Sequence, residues 1–415
     1  MPDAVIVSTA RSPIGRAVKG SLVDVRPDDL AAEVVNAALA AVPQLDSGEV
    51  EDLLLGCGLP GGEQGFNMAR VVSLLAGLPH VPGCTVNRYC SSSLQTIRMA
   101  AHAIRAGEGD VFVAGGVETV SRFVHGSSDS HPDTMNGRFA AAGERTRNRT
   151  EGVEGLRPWT PAPDGSDPTA AHAPLPDVYI AMGETAENVA DLEGVTREEM
   201  DAFATLSQRR AVASQENGFW ADEITPITLA DGRIVTADDG PRPGTTVEKL
   251  ATLPPVFRAD GRVTAGNACP LNDGAAAVVV MSEDRARELG ITPLARVVAS
   301  AVSALDPEIM GLGPVEASRR ALARAGMTIG DVDLVEINEA FAAQVIPSAR
   351  QLGVEWDRLN VHGGAIAVGH PFGMTGARIM TTLLHGLAAT GGTIGLETMC
   401  VGGGQGMAMV VERLS

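Results

Sequence analysis

The amino-acid sequence predicts an α/β protein made of two duplicated halves, with mixed and largely buried sheets covered by helices. Two observations lead to this fold class. Units of one helix and one strand occur twice at corresponding places, which is typical of an internal duplication. The runs 274–280 and 406–411 consist of small and apolar residues, as expected for strands that are buried on both faces of a sheet.

The first repeated unit is a helix that opens with proline and leads into a short apolar strand. In the first half, the helix starts over residues 27–35 and the strand occupies 50–57. The counterparts in the second half are 314–322 and 332–338. Because proline suits the first turn of a helix, the pattern predicts the same order of elements twice.

The second repeated unit places a chemically reactive side chain in front of a helix. Cys90 precedes an alanine-rich helix and a strand that leads to a predicted turn at 115–116. His370 precedes a helix predicted over 375–389 and a strand that leads to a turn at 402–403. Since the two halves would pack together, both glycine-rich turns are expected near their junction.

A region of different composition interrupts the first half. Residues 121–250 are rich in Asp, Pro, Gly and Arg; long loops are predicted over 125–176, and a helical pattern returns over 183–218. Insertions of this kind commonly form a lid or a substrate wall. We therefore predict an N-terminal domain over 1–283 that carries the insertion, and a C-terminal domain over 284–415.

The composition argues against several classes of protein. The formal net charge is -19, whereas a nucleic-acid-binding protein normally presents a basic surface. No run reaches the ~18 apolar residues that span a bilayer, and the chain starts in a strand pattern without a signal peptide. The cysteines follow neither a disulfide framework nor a zinc-ligand spacing. We therefore expect a cytoplasmic protein with no nucleic-acid partner, no membrane partner and no metal.

Cys90, His370 and Cys400 are the strongest candidates for catalysis. Cys90 lies where a strand ends and a helix starts, and the helix dipole there favours a thiolate; the alternative is a buried small side chain. His370 lies in a tight turn between glycines. It would act as a base or as a donor to an oxyanion, or it is only a packing residue. Cys400 precedes the glycines at 402–404, whose N–H groups either approach a carbonyl oxygen or merely form a turn.

Asn338 is a weaker candidate at the end of an apolar strand. Its amide would orient a water or donate to an oxyanion, but Asn at such a junction is more often a helix cap. Together, the cysteines, the histidine and the glycine-rich turns indicate thiol chemistry on an acyl group.

Four sequence blocks resemble the thiolase family. They are Val-Asn-Arg-x-Cys at 86–90, Asn-Glu-Ala-Phe at 338–341, Gly-Gly-Ala-Ile-Ala-x-Gly-His-Pro-x-Gly at 363–373 and Cys-x-Gly-Gly-Gly-x-Gly at 400–406. They occur in the family's order, and the resemblance covers the whole chain. It implies the thiolase fold, in which two duplicated α/β halves form αβαβα layers and carry a loop-domain insertion.

The resemblance also implies a role for each candidate residue. Cys90 would carry the acyl group as a thioester after activation by His370. His370, with a water held by Asn338, would bind the thioester oxygen of the substrate, and Cys400 would exchange the α-proton of acetyl-CoA. The N–H groups of Cys90 and Gly402 would form the oxyanion hole for the tetrahedral intermediate at Cys90.

Coenzyme A is implied as a substrate that lies along the loop domain, and no resident cofactor is expected. Two sets of side chains would surround the acyl-CoA. They are Arg242, Ala265 and Cys269 for CoA, and Met182, Met310, Ala340 and Phe341 for the acyl pocket.

The chain departs from the family pattern at three positions. Ser93 stands where glycine is usual after the nucleophile, which tightens the helix start. Cys269 replaces a serine that commonly contacts pantetheine. Ala181 replaces a histidine of short-chain biosynthetic thiolases, and with the long insertion it favours a degradative enzyme.

We therefore predict a thiolase, which reversibly cleaves a 3-oxoacyl-CoA with CoA into a shortened acyl-CoA and acetyl-CoA, as in the β-oxidation of fatty acids. Two alternatives stay open at this point. One is a decarboxylating ketosynthase of the same superfamily, which does not need Cys400. The other is a catalytically silent CoA-binding subunit. The family also implies a homodimer or a homotetramer.

Overall fold

We describe a computed structural model of the chain over residues 2–123, 134–151 and 175–415. Most of the loop stretch predicted over 125–176 therefore lies outside the described residues. In its described part the prediction is wrong, because residues Ala140–Thr150 form a helix. Within them, none of the helices combines the length and the apolar character needed to cross a bilayer.

The strands and helices follow one another along the chain in the order expected for two α/β halves. The strands are β1 (Ala4–Arg11), β2 (Gly15–Arg16), β3 (Asp52–Gly56), β4 (Gly83–Val86), β5 (Val111–Thr119), β6 (Ile227–Thr228), β7 (Ile234–Val235), β8 (Asn272–Ser282), β9 (Ala295–Ala304), β10 (Leu334–Ile337), β11 (Ile394–Val401) and β12 (Gln405–Arg413). The helices are α1 (Pro27–Ala40), α2 (Met68–Leu75), α3 (Ser92–Ala106), α4 (Ala140–Thr150), α5 (Met182–Glu193), α6 (Arg197–Glu216), α7 (Phe219–Glu223), α8 (Val247–Ala251), α9 (Glu283–Leu289), α10 (Gly313–Ala325), α11 (Ala342–Leu352), α12 (Ala365–Val368) and α13 (Thr375–Thr390).

Both halves arrange their strands in the same way, so the repeated sequence units correspond to a structural duplication. The first half orders its strands β1-β8-β5-β3-β4, with β8 antiparallel to both neighbours and the later pairs parallel. The second half runs β9-β12-β11-β10 with the same directions, and Leu359 extends it by a parallel bridge to Val335. The halves are joined where Val5 and Ile6 of β1 pair with β9.

Each sheet is covered on both faces because side chains alternate along a strand. In β8, Ala276 and Val278 belong to a central core with α3 and α13, whereas Val279 packs with α1 and α2. In β12, Met409 contributes to the same central core, and Val410 packs with α10 and α11 on the outer face. The layers therefore alternate as αβαβα, which confirms the predicted fold class.

The predicted turn at 115–116 is wrong, because β5 continues through both glycines to Thr119. A Cβ atom on Gly116 would collide with the carbonyl oxygen of Gly373, three residues after His370. These glycines therefore permit a close approach of two backbones, and the chain does not reverse its direction there.

The insertion contributes α4 to α8 and the hairpin of β6 and β7. Its long helix α6 begins with a capping box, in which Thr196 and Glu199 each satisfy the other's backbone N–H. Ala190 of α5 and Phe203 of α6 share a hydrophobic cluster with α11. The insertion thus packs against the second half, while the division into domains at 283 and 284 stays a prediction.

Candidate active site

Cys90 lies on a tight turn between β4 and α3. Asn87 Oδ1 accepts a hydrogen bond from the N–H of Tyr89 at 2.8 Å, and Ser92 Oγ accepts one from the N–H of Arg88 at 2.9 Å. Tyr89 has a left-handed φ of 44°, so the chain turns sharply just before the cysteine. Cys90 is thereby held in the middle of a short 3₁₀ turn (Tyr89–Ser91) that leads into α3, and it is buried.

His370 occupies the matching position of the second half, ahead of α13. Its Nδ1 lies 2.6 Å from Thr375 Oγ1, and that hydroxyl donates to the carbonyl oxygen of Pro371 at 2.6 Å. A hydroxyl has one proton, so this pattern assigns the ring proton to Nδ1, which donates to Thr375. Nε2 is then unprotonated and accepts from Nδ2 of Asn338 at 3.3 Å. The imidazole is therefore arranged as a base.

Asn338 follows the last residue of β10 and faces His370. Its backbone N–H donates to the carbonyl oxygen of Thr398 at 3.0 Å, which ties it to β11. Its Oδ1 is buried and has no hydrogen-bond partner among the described residues. Because a buried acceptor without a partner is costly, this oxygen suits a contact with a small polar group in the site.

Cys400 is the penultimate residue of β11 and is fully buried. The hairpin that follows turns at Gly402, Gly403 and Gly404, the last two with a φ of 76°. This left-handed conformation explains why glycine is needed there. The strand fixes the thiol, and the turn brings the N–H of Gly402 to Cys90.

The thiols of Cys90, Cys269 and Cys400 lie close enough to influence one another. Burial is the main cause of the raised pKa of Cys400, and Cys90 and Cys269 raise it further. Burial also raises the pKa of Cys269, with Cys90 as the next cause. Because α3 and α13 pack against each other in the central layer, the turns ahead of them also approach each other. A Cβ atom on Gly58 would lie 2.8 Å from Cβ of Phe372 and 3.4 Å from the carbonyl oxygen of Tyr89.

Burial dominates the protonation of the candidate nucleophile and base. It raises the pKa of Cys90 to about 12, although the N–H groups of Gly402 and of Cys90 itself donate to the sulfur and lower it. The thiolate expected from the helix start is thus disfavoured. Burial, with a smaller effect of Arg378, lowers the pKa of His370 to about 3. The resting pair is a thiol and a neutral imidazole.

The same two N–H groups are the ones predicted to bind an oxyanion. They belong to Cys90 and Gly402, one from each half of the duplicated fold, and both lower the pKa of the Cys90 thiol. Donors fixed in this way stabilise negative charge that develops on an oxygen bonded next to the sulfur.

A cavity of about 290 Å³ holds the three predicted CoA contacts, Arg242, Ala265 and Cys269. Arg16 also lines it, and no carboxylate does among the described residues. The carboxylate of Asp239 accepts the backbone N–H of Arg16 at 2.9 Å, but it does not line the cavity. The cavity therefore favours an anionic ligand.

The four predicted acyl-pocket residues share a hydrophobic cluster with Cys400. They are Met182, Met310, Ala340 and Phe341. The sulfur of Met182 lies 3.8 Å from the position that a Cβ on Gly402 would take. The carbonyl oxygen of Ala340 accepts the N–H of Cys269 at 3.0 Å, so this apolar wall adjoins both the thiols and the cavity.

Another cavity, of about 610 Å³, lies beside α4 and includes Ala181 but none of the predicted catalytic side chains. Its lining contains the carboxylates of Glu151, Asp177 and Glu184 against one arginine, Arg147. The excess of carboxylates in this larger cavity would repel the phosphates of CoA. The cavity of about 290 Å³ is therefore the better candidate for binding CoA, although it is smaller.

Sequence reasoning missed several supporting residues. Glu118 is fully buried and accepts N–H groups of Gly58 at 2.7 Å and of Gly373 at 2.8 Å, which ties the turn after His370 to the first half. Asn272 Oδ1 accepts the N–H of His370 at 3.0 Å. A signal for Glu118 was present, since a lone carboxylate in an apolar strand needs partners.

Comparisons with known proteins show which family the chain is similar to. The family model "Thiolase, N-terminal domain" matches residues 4–158 and 162–284, and "Thiolase, C-terminal domain" matches 291–413. The 3-oxoadipyl-CoA/3-oxo-5,6-dehydrosuberyl-CoA thiolase of Escherichia coli (strain K12) is 44% identical over 100% of both chains. The 3-ketoacyl-CoA thiolase of Bacillus subtilis (strain 168) is 42% identical over 99% of this chain and 100% of its own. The crystal structure of the Bacillus anthracis acetyl-CoA acetyltransferase superposes with a TM-score of 0.85 at 39% identity, covering 100% of this chain and 99% of that one. Fold and sequence thus agree, and the chain belongs to the thiolase family.

Proposed function

We propose that this thiolase cleaves a 3-oxoacyl-CoA through an acyl-enzyme at Cys90. The observation that carries the proposal is the approach of Gly402, from the second half of the fold, to the turn of Cys90, where a Cβ on Gly402 would lie 3.4 Å from the ring of Tyr89. A second thiol, Cys400, lies close to Cys90. A nucleophile, an acid/base and a preformed oxyanion site are what cleavage of a carbon–carbon bond next to a thioester requires.

In the first step, His370 Nε2 takes the proton of Cys90 while the sulfur attacks the 3-carbonyl carbon. The oxyanion accepts the N–H groups of Cys90 and Gly402. The bond between C2 and C3 then breaks, leaving the acyl thioester on Cys90 and the enolate of acetyl-CoA. The enolate oxygen is bound near His370 and a water held by Asn338, and C2 takes the proton of Cys400.

In the second step, CoA replaces acetyl-CoA and gives its thiol proton to the Cys400 thiolate. The CoA sulfur attacks the acyl thioester, and the same two N–H groups hold the oxyanion. Cys90 leaves as a thiolate and recovers its proton from His370. All groups return to their starting protonation, so the cycle balances.

The cavity of about 290 Å³, whose described lining contains no carboxylate, supports the binding of CoA as a substrate. Arg242 and Arg16 provide guanidinium groups for phosphate oxygens. Ala265 and Cys269 would lie along the pantetheine arm, and the arm would end at the thiols.

The apolar acyl wall supports an apolar acyl chain over a dicarboxylate. Met182, Met310, Ala340 and Phe341 offer no cation to a terminal carboxylate, and burying an unpaired carboxylate is costly. The relatives' names include both 3-ketoacyl-CoA and 3-oxoadipyl-CoA thiolases. Comparing kcat/KM for 3-oxohexanoyl-CoA and 3-oxoadipyl-CoA tests this preference, because the two acyl chains differ only in their terminal methyl or carboxylate group. A higher kcat/KM for 3-oxoadipyl-CoA would contradict the proposed preference for an apolar chain.

We also propose a homo-oligomer in a reducing compartment such as the cytoplasm. The mechanism needs Cys90 and Cys400 as free thiols, which a reducing compartment maintains. Among the described residues, strand β4 lies at the edge of its sheet with only β3 beside it, and Phe66 and Leu74 near it are 81% and 53% exposed. An apolar edge strand is a natural place for a second copy to pair.

The experiment that tests the reaction is intact-protein mass spectrometry after brief incubation with acetoacetyl-CoA. We expect a gain of one acetyl group that Cys90→Ala abolishes and free CoA reverses. If the unaltered protein gains no acyl group from acetoacetyl-CoA or longer 3-oxoacyl-CoAs, the proposal is wrong, and a silent CoA-binding role takes its place.

A further inference from the structure

The turn that carries Gly402 needs an external support. Three consecutive glycines, Gly402 to Gly404, leave the backbone many accessible conformations. The ladder of the hairpin ends where Val401 pairs with Gln405, so both the N–H and the carbonyl group of Gly402 lie beyond it. The orientation of the two peptide units that meet at Gly402 therefore depends on other contacts, and the carbonyl group of Gly402 makes one.

Gln405 supplies that contact. Its Nε2 donates to the carbonyl oxygen of Gly402 at 3.2 Å, and its Oε1 accepts from Nη1 of Arg88 at 2.8 Å. A guanidinium only donates and a carbonyl only accepts. If the side-chain amide of Gln405 were reversed, its oxygen would face the carbonyl oxygen of Gly402 and its NH₂ group would face the guanidinium of Arg88. Arg88 therefore fixes the amide orientation in which Gln405 donates to Gly402.

Arg88 is itself anchored to the turn of the nucleophile. It stands two residues before Cys90, its N–H donates to Ser92 Oγ at 2.9 Å, and its Nε donates to Gln95 Oε1 at 3.1 Å. In the part of the chain that the structure describes, no carboxylate forms an ion pair with it. Its donors are thus given to amide oxygens, including that of Gln405, 317 positions further along the chain.

We propose that Arg88 and Gln405 are positioning residues that hold the N–H of Gly402 at the spacing from Cys90 that the oxyanion hole needs. The two N–H groups come from different halves of the fold, and this chain of hydrogen bonds links their turns directly. The inference rests on the proposed function, since it assigns a support to the oxyanion hole of the acyl transfer at Cys90.

The first test measures the rate at which acetyl-CoA acetylates Cys90, by rapid quenching and intact mass. Gln405→Ala is expected to lower this rate about 10- to 100-fold, somewhat less than outright removal of one oxyanion donor. Gln405→Glu keeps a partner for Arg88 but places an acceptor against the Gly402 carbonyl, so it should be no better. Arg88→Lys, which still donates one hydrogen bond, should retain more activity than Arg88→Ala. Gln351→Ala, at an exposed glutamine, is the control.

The second test separates positioning from general damage to the fold. In a Cys90→Ala background, exchange of the α-protons of acetyl-CoA with D₂O uses Cys400 and the other oxyanion contacts, so adding Gln405→Ala should leave it within about twofold. Exchange that falls as much as acetylation would overturn the inference, as would acetylation that is unchanged by Gln405→Ala. If Cys90→Ala shows no exchange and the unaltered protein shows no acetylation, the proposed function itself fails, and this inference with it.

Discussion

At the scale of single residues, the site keeps its reactive groups neutral in the absence of substrate. Burial raises the pKa of Cys90 to about 12 and lowers that of His370 to about 3. A thiolate–imidazolium pair is therefore disfavoured in the free protein, and the thiolate is the form that oxidants and alkylating agents attack. The two N–H donors lower the cost of negative charge only at the sulfur and at the oxygen that will adjoin it.

The two thiols should be separable by their reactions. Cys400→Ala is expected to lower thiolysis of acetoacetyl-CoA about 10²- to 10⁴-fold, since a positioned acid for the enolate carbon is lost. Acetylation of Cys90 by acetyl-CoA should fall far less, because CoA leaves well as a thiolate. Steady-state thiolysis and acetylation by intact mass are compared with Cys84→Ala, at an exposed cysteine. Equal losses in both assays would contradict separate roles.

At the scale of elements, Ser93 stabilises the packing of α3 against α13. Its Oγ accepts the N–H of Ala377, in the first turn of α13, at 2.9 Å. This hydrogen bond joins two helices, and the tightening of the helix start by Ser93 stays a prediction. Ser93→Ala would leave a buried N–H without a partner and should lower the free energy of unfolding by about 1–3 kcal/mol. Urea unfolding measures this, with the exposed Ser47→Ala as control; equal values for the two variants would contradict it.

The pairing of β10 with β11 sets two buried carboxylates side by side. Glu336 lies opposite Glu397, and burial raises the pKa of Glu336 from 4.5 to about 8, with Arg378 opposing the shift. The folded protein then binds more protons than the unfolded chain between these values. This contribution to stability is fully present below pH 4.5 and is lost as the pH rises through about 8.

Glu336→Gln should therefore change the pH dependence of stability. The variant cannot ionise at this position, so relative to the unaltered protein it should gain stability at pH about 9 compared with pH about 5. Urea unfolding at both values, with the exposed Glu355→Gln as control, measures the difference. An identical effect of Glu336→Gln at both pH values would show that the group does not titrate in this window.

At the scale of the whole molecule, the duplication was readable in the sequence because burial imposes a regular pattern. Cys90 and His370 were placed correctly ahead of matching helices for that reason. The glycine at 116 was misinterpreted, since a glycine needed for a close backbone approach looks the same as one in a turn. The bond from Arg88 to Gln405 joins residues 317 positions apart, and no local pattern reveals such a contact. Protonation was also misjudged, because the helix start is visible in the sequence but the depth of burial is not.

Because β4 is an edge strand in the part of the chain that the structure describes, the architecture also leads to a prediction about the oligomeric state. We expect light scattering after size-exclusion chromatography to give a dimer or a tetramer of the 42.9 kDa chain. Cys84→Arg places a charge on an exposed position of β4, where pairing with a second copy would bury it, so the measured mass should fall. Ile234→Arg, on β7 in the insertion and 61% exposed, should leave the mass unchanged. A monomeric unaltered protein, or a Cys84→Arg variant of unchanged mass, would show that β4 is not the interface.

Because β4 leads directly into the turn of Cys90, a partner on this edge would also stabilise the conformation of that turn. Cys90 in the Cys84→Arg variant should then be acetylated by acetyl-CoA more slowly than in the Ile234→Arg control.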